Sequence, residues 1–145
     1  MSSKRVFVTG IVLFVAYMIM AILVHGLWLG PTYETLTGDV WRSQDDLLSK
    51  AWIVQGTTLI FCILFAYLFA RGYRGGGWRE GARFGCVAYF FAGFQAASHA
   101  YATYPIPLEL MLQWFAAGLP ITVLLGILAS VLYDRQAKRL GDAGT

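Results

Sequence analysis

His25 and His99 are the only histidines in this sequence, and each falls inside a long apolar run. The two other apolar runs each carry a glutamine near the matching end, Gln55 and Gln113. At helical spacing Tyr17, Ala21 and His25 share a face, as do Gln95 and His99. The pattern predicts four helices that each bring one polar group, His25, Gln55, His99 or Gln113, to a common depth, with Tyr17 and Gln95 a turn or two below.

Two kinds of chemistry fit such a layer. A polar group in hydrocarbon costs several kcal/mol unless it is hydrogen-bonded, so these side chains should turn inward and meet one another. Read that way, the layer joins helices through hydrogen bonds of ~0.6 to 2 kcal/mol each. Read as a ligand site, His25 and His99 stand on the first and third helices, diagonal in a bundle, and could supply both axial nitrogens to one haem b. A quinone, a lipid or a small solute would fit the same layer without a distinguishing residue. A zinc site would have to recruit Glu34, Asp39 or Glu109 from the connecting loops, at spacings unlike a structural zinc motif. No nucleophile stands near a base and no carboxylates pair within the apolar runs, so no catalytic residue is expected and no cofactor is required.

The elements that position this layer follow from composition. Of 145 residues, 58% are hydrophobic and only 13% charged, about half the charge of a soluble domain, which predicts an all-α integral membrane protein. Four apolar stretches, about 6–29, 51–70, 82–103 and 110–132, each approach the ~20 residues that cross the hydrocarbon core. None contains Asp or Glu, and only Arg83 intrudes, at an edge. The first is far longer than a signal-peptide core and should be retained as a helix. The second should begin earlier, near Gln44, because Ser43 can cap free N–H groups and Asp45 and Asp46 suit a helix N-terminus. The expected helices are therefore about 6–29, 44–70, 82–103 and 110–132, in one transmembrane domain covering 1–145.

Basic residues predict an orientation. Lys4, Arg5, Arg71, Arg74, Arg79, Arg83, Arg135, Lys138 and Arg139 fall on one side of such a bundle, against Arg42 and Lys50 on the other. The positive-inside rule then places both termini and the RGYRGGGWRE connector in the cytoplasm. Spread over three segments, this charge has no nucleic-acid-binding character. Trp28, Tyr33, Trp41, Trp52, Tyr101, Tyr104 and Trp114 gather at the opposite boundary, where amphipathic rings anchor.

Some internal repetition is visible. His25 precedes Pro31 as His99 precedes Pro105, and Trp52 precedes Gly56 as Trp114 precedes Gly118. Two similar helical hairpins, the first with a longer outer loop, would account for it. On the third helix Ala88, Ala92, Ala96 and Ala100 form a stripe of small residues expected to let another helix approach closely. Phe61, Phe65, Phe69, Phe90 and Phe94 are expected to face lipid or further subunits. Pro120 should kink the fourth helix, and Cys62 and Cys86 read as small apolar residues.

The succession HG, P-x-Y, VWR, an apolar helix ending ARGY before a Gly-rich turn, REGARFG, YPIPLEL and QWF resembles a group of small bacterial four-helix membrane proteins of unknown function. The likeness covers about residues 8–133. It implies a bacterial inner-membrane location and carries no catalytic residue across. The expected role is that of an accessory or structural subunit of a larger, possibly energy-converting membrane complex. The partners would be the bilayer, other subunits or copies of the same chain. A ligand-binding membrane protein or a small transporter component is the alternative.

Overall fold

The computed structural model describes residues 3–36 and 42–142, the side chains of 136–142 excepted. Trp41 and Asp39, named above as an anchor and as a metal-ligand candidate, lie outside the described residues. Within them the chain is helical, with no strand. Helix α1 (Ser3–Ala21) runs directly into a π-helical segment, Ile22–Trp28, closed by a bond from Leu29 N to Val24 O of 2.8 Å. Pro31 then opens the short α2 (Gly30–Thr35), since a proline at a helix start forfeits no bond.

The expected second helix from 44 to 70 is divided. Ser43 does cap α3 (Gln44–Ser49), accepting from Asp46 N at 3.4 Å, but Lys50 leaves helical geometry before α4 (Ala51–Gly72) begins. At ~1.5 Å per residue an unbroken helix would have reached ~40 Å. The break divides that length between two helices. Asp46 accepts from Lys50 and Arg42, one turn to either side, and these bonds hold its carboxyl below the usual carboxylate range.

The third apolar run is longer and less regular than its composition suggests. It starts at Gly77, five residues before the expected boundary. The Glu80 carboxylate reaches back to accept from Arg74 N at 2.8 Å and Gly76 N at 2.7 Å, so the polar sequence RE belongs to the first turn of α5 (Gly77–Ala88). Gly75 and Gly77 supply the positive φ of this tight connector, 87° and 63°. A second π segment, Tyr89–Gly93, separates α5 from α6 (Phe94–Thr103). The last helix, α7 (Leu108–Asp142), runs through Pro120 without interruption.

Among the described residues three helices are long and apolar enough to cross a membrane: Ser3–Trp28, Ala51–Gly72 and Leu108–Arg135. These are the lengths and compositions of a multi-pass membrane protein. The run from 77 to 103 is not among them, because charged residues open it and Gly, Ala, Ser, Gln and His dilute its apolar content.

Packing divides the molecule into two pairs, α1 against α4 and α5 against α7, which touch mainly through α1 and α7 and also through the aromatic rings of α4. The core lies toward the end where α1 begins and α7 approaches Arg135. Leu13, Cys62, Ala66, Leu125 and Ala129 are fully buried there. Phe65 and Phe69, expected at the lipid face, are instead the aromatic centre of this core: Phe69 is 1% exposed and packs against Phe84 and Tyr133 at ring distances of 5.4 and 5.8 Å. Phe61 is half-buried against the same cluster, whereas Phe90 and Phe94 are exposed.

The same end is tied by polar contacts. The Arg5 guanidinium donates to the Tyr133 carbonyl at 2.5 Å and lies 4.3 Å above the Tyr133 ring. The Tyr73 hydroxyl donates to Asp134 at 2.5 Å and accepts from Gly77 N at 3.1 Å. Burial, and then the Asp134 carboxylate, push the Tyr73 phenol up to about 12, so it remains a donor throughout the physiological range.

The closest helix contact belongs to glycine. Gly81 and Gly85 on α5 face Gly126 and Thr122 on α7 with backbone against backbone; a methyl group on Gly85 would lie 2.2 Å from the Thr122 carbonyl oxygen. The alanine stripe does not make this contact. Ala88 packs on the core, while Ala92 and Ala96 are exposed on the wall of a cavity. The physical reason is distance: the glycines draw α5 and α7 together at one end, and the helices diverge beyond Ala88.

Candidate ligand cavity

Where the helices diverge they leave an open-sided cavity of about 560 Å³, in the range of small-molecule sites. α1 and its π extension contribute Tyr17 and His25; α4 contributes Thr57, Thr58 and Phe61. The third run supplies a floor of small residues, Ala88, Ala92, Gly93, Ala96 and Ala97, together with Tyr89. From α7 come Trp114, Ala117, Gly118, Ile121 and Thr122. No lining residue is an Asp, Glu, Lys or Arg.

Both π segments border this space, one through His25 and the other through Tyr89, Ala92 and Gly93. A π turn adds one residue to the helix and rotates the residues beyond it, so it re-aims side chains that an α-helix would point elsewhere. Tyr89 lies buried in a slot between Gly93 and Gly118, where a methyl on either glycine would meet its ring at 2.5 Å. Its hydroxyl is buried without a hydrogen-bond partner among the described residues.

A chain of three side chains links the π extension of α1, α2 and α7. Trp114 Nε1 donates to the Tyr33 hydroxyl at 2.8 Å, and that oxygen lies 2.7 Å from His25 Nδ1, with the imidazole and phenol rings stacked at 6.0 Å. Burial pushes the Tyr33 phenol up, opposed by the Trp114 bond. The hydroxyls of Thr57 and Thr122 are turned back on their own helices, to Ile53 O at 2.8 Å and Gly118 O at 3.0 Å, and leave lone pairs free to accept.

The predicted polar layer is thus brought together only in part. Tyr17 and His25 do share the cavity wall. Gln55, Gln95 and His99 are exposed and absent from it, and no hydrogen bond joins His25, Gln55, His99 and Gln113 to one another among the described residues. Gln113 reaches Glu109 at 3.4 Å and its carbonyl oxygen is buried without a partner among the described residues. The cavity therefore presents one imidazole, not the facing pair that a bis-histidine haem would use. Among the described residues no three His, Cys, Asp or Glu side chains cluster as metal ligands would.

Sequence reasoning does not find Trp114, Tyr89, Thr57 and Phe61 as lining residues, nor Tyr33 as the partner of His25. Tyr33 and Trp114 read as boundary anchors, since both types are common there. The one available signal is G-x-x-x-G at Gly81 and Gly85, which marks where α5 must touch a neighbour and hence where the helices part.

Comparison with protein families, curated proteins and solved structures finds no match to this chain. The class that the chain's own helices define is a helical bundle with the spans of a multi-pass membrane protein.

Proposed function

We propose that this protein is a non-catalytic membrane protein that crosses the bilayer four times, up-down-up-down with both termini cytoplasmic, and holds a small amphipathic molecule between its helices. The observation that carries the reading is the cavity, whose wall is aromatic and small-residue carbon interrupted by a few fixed polar groups. The fourth crossing is supported by the continuous helical run from 77 to 103. After Arg83 it has no charged residue, and at ~1.5 Å per residue those twenty positions span ~30 Å. The basic-residue count supports the orientation, and the resemblance to small bacterial membrane proteins supports an inner-membrane location.

The test is comparative extraction. Wild-type protein and an Ala92→Leu/Ala96→Leu variant would be purified in the same mild detergent and their co-purifying lipids measured by mass spectrometry. Both alanines line empty space, so leucine there fills the cavity without entering a helix contact. One species should be enriched several-fold, near one per chain, in wild type and lost in the variant. Identical lipid profiles would sink the proposal.

A second reading, an accessory subunit of a larger complex, is favoured by Phe91, 86% exposed between the exposed Phe90 and Phe94. None of the three rings lines the cavity. The two readings are compatible, since they use different residues of one helical run.

A further inference from the structure

We infer that the outer face of α5 is a site for one anionic phospholipid, its phosphate held by Arg79 and Arg83 and its chain laid along the exposed apolar residues beyond them. The site is separate from the cavity, which other residues of the same run line, and it rests on that run crossing the membrane from a cytoplasmic Gly76.

Helix α5 is regular from Gly77 to Ala88, and Gly81 and Gly85 turn one side of it against α7. At ~100° per residue, Arg79 and Arg83 both stand ~160° round the helix from Gly81. Both are exposed. One turn apart, they are surface neighbours with Cβ atoms ~5–6 Å from each other, near enough for two guanidinium groups to meet one phosphodiester.

Among the described residues no carboxylate neutralises them. Glu80 is the only acidic residue between Ala51 and Leu108, and its two oxygens accept from the main chain at Arg74 and Gly76. Asp134 accepts from Tyr73, and the ion pairs both belong to Asp46. Arg71 differs, because its guanidinium donates to the Tyr67 hydroxyl at 2.6 Å. Arg79 lies over the Trp78 ring, 5.5 Å from its centre, and a stacked guanidinium keeps its N–H edge for an anion.

Depth supplies the second half of the argument. Arg83 is the one Lys, Arg, Asp or Glu in the run from 82 to 103, and it stands at the edge of the hydrocarbon, where an unneutralised charge is costly and lipid phosphate is the anion at hand. Beyond it the run exposes Val87, Phe90, Phe91 and Phe94. From Arg83 to Phe94 the helix rises ~16 Å, which matches the ~15 Å of one leaflet. A phosphate at the arginines therefore leaves a chain that reaches the phenylalanines. A choline headgroup would bring its own cation to this arginine-rich connector, so an anionic headgroup fits better.

The test is native mass spectrometry of full-length protein in mild detergent, titrated with palmitoyl-oleoyl phosphatidylglycerol or with phosphatidylcholine carrying the same chains. One phosphatidylglycerol should bind per chain, about tenfold more tightly than phosphatidylcholine, and Arg79→Gln and Arg83→Gln should each weaken it about tenfold, the effect of one lost charge-assisted hydrogen bond. Arg79→Lys/Arg83→Lys keeps the charge and the orientation signal, and should recover part of that loss. Arg71→Gln removes the same charge nearby and should bind as wild type does. The Ala92→Leu/Ala96→Leu variant should keep the adduct; its loss there would put this lipid in the cavity and overturn the inference without touching the cavity's own reading. Excess inorganic phosphate, which has no chain, should leave the adduct in place, and displacement would assign the arginines to a soluble anion instead. Unchanged affinity in Arg79→Gln/Arg83→Gln, or an equal loss in Arg71→Gln, overturns the inference. So does release of a second polypeptide in place of a lipid when both arginines are changed, since a partner subunit would then cover this face.

Discussion

Gly85→Leu should prevent the bundle from forming, and Gly85→Ala should already cost about 3 kcal/mol, the upper range for overpacking a filled site. The clash is with main chain. A methyl on Gly85 would stand 2.2 Å from the Thr122 carbonyl oxygen and 2.7 Å from Val123 Cα, and one on Gly126 would stand 2.1 Å from the Gly81 carbonyl oxygen. No rotamer change relieves contacts of this kind, so α5 and α7 must separate and give up dispersion along the whole crossing. In lipid, where association lacks a hydrophobic drive, that packing is the main force holding the pair. Leucine demands a larger separation, and the cost then approaches the entire 5–15 kcal/mol by which a typical fold is stable. Gly56→Ala supplies the control: nothing lies within 4 Å of its added methyl, so the usual helical gain of about 0.5–1 kcal/mol should appear. Detergent-titration unfolding followed by circular dichroism reads both. Equal stability of Gly85→Ala and Gly56→Ala would show that the glycine crossing is not where the bundle is held.

The second large effect is expected at Phe69→Ala, a loss of about 3–5 kcal/mol. The ring is 1% exposed and touches Tyr73, Phe84 and Tyr133 from α4's own end and from two other helices, with centroids at 4.9, 5.4 and 5.8 Å. Truncation removes these ring contacts and leaves a void whose rim includes the Tyr73 and Tyr133 rings that carry the Asp134 and Arg5 contacts. Phe91→Ala is the matched control. At 86% exposure its ring buries little against the rest of the chain, and the same assay should find a change below about 0.5 kcal/mol. A Phe69→Ala variant as stable as Phe91→Ala would place the core elsewhere.

The contrast between Phe69 and Phe91 also shows what this sequence discloses. Apolar runs and basic flanks are legible because the bilayer selects for them. Which side of a helix faces protein is much less so, because lipid tails and a protein core are equally apolar, and Phe69 and Phe90 therefore read alike. The start of α5 is obscure for a local reason: Glu80 looks like a loop residue until its carboxylate is found on the N–H groups of Arg74 and Gly76. Tyr17 and His25 are legible together, being on one helix face. His25, Gln55, His99 and Gln113 share only depth, and depth does not determine rotation about a helix axis, which the two π segments alter further. The His25–Tyr33 bond depends on the chain folding back through α2 after Pro31, which no periodic pattern foretells.

The small-residue wall of the proposed site belongs to the run from 77 to 103, and side-specific reporter fusions test most directly whether that run crosses the membrane. Fusions would be placed after Gly76, within 104–107, within 36–46 and after Thr145. Four crossings predict cytoplasmic signals at Gly76 and Thr145 and exterior signals at 36–46 and 104–107. A cytoplasmic signal at 104–107 would mean that the third run does not cross, and would contradict both the four-pass bundle and the cavity between its helices.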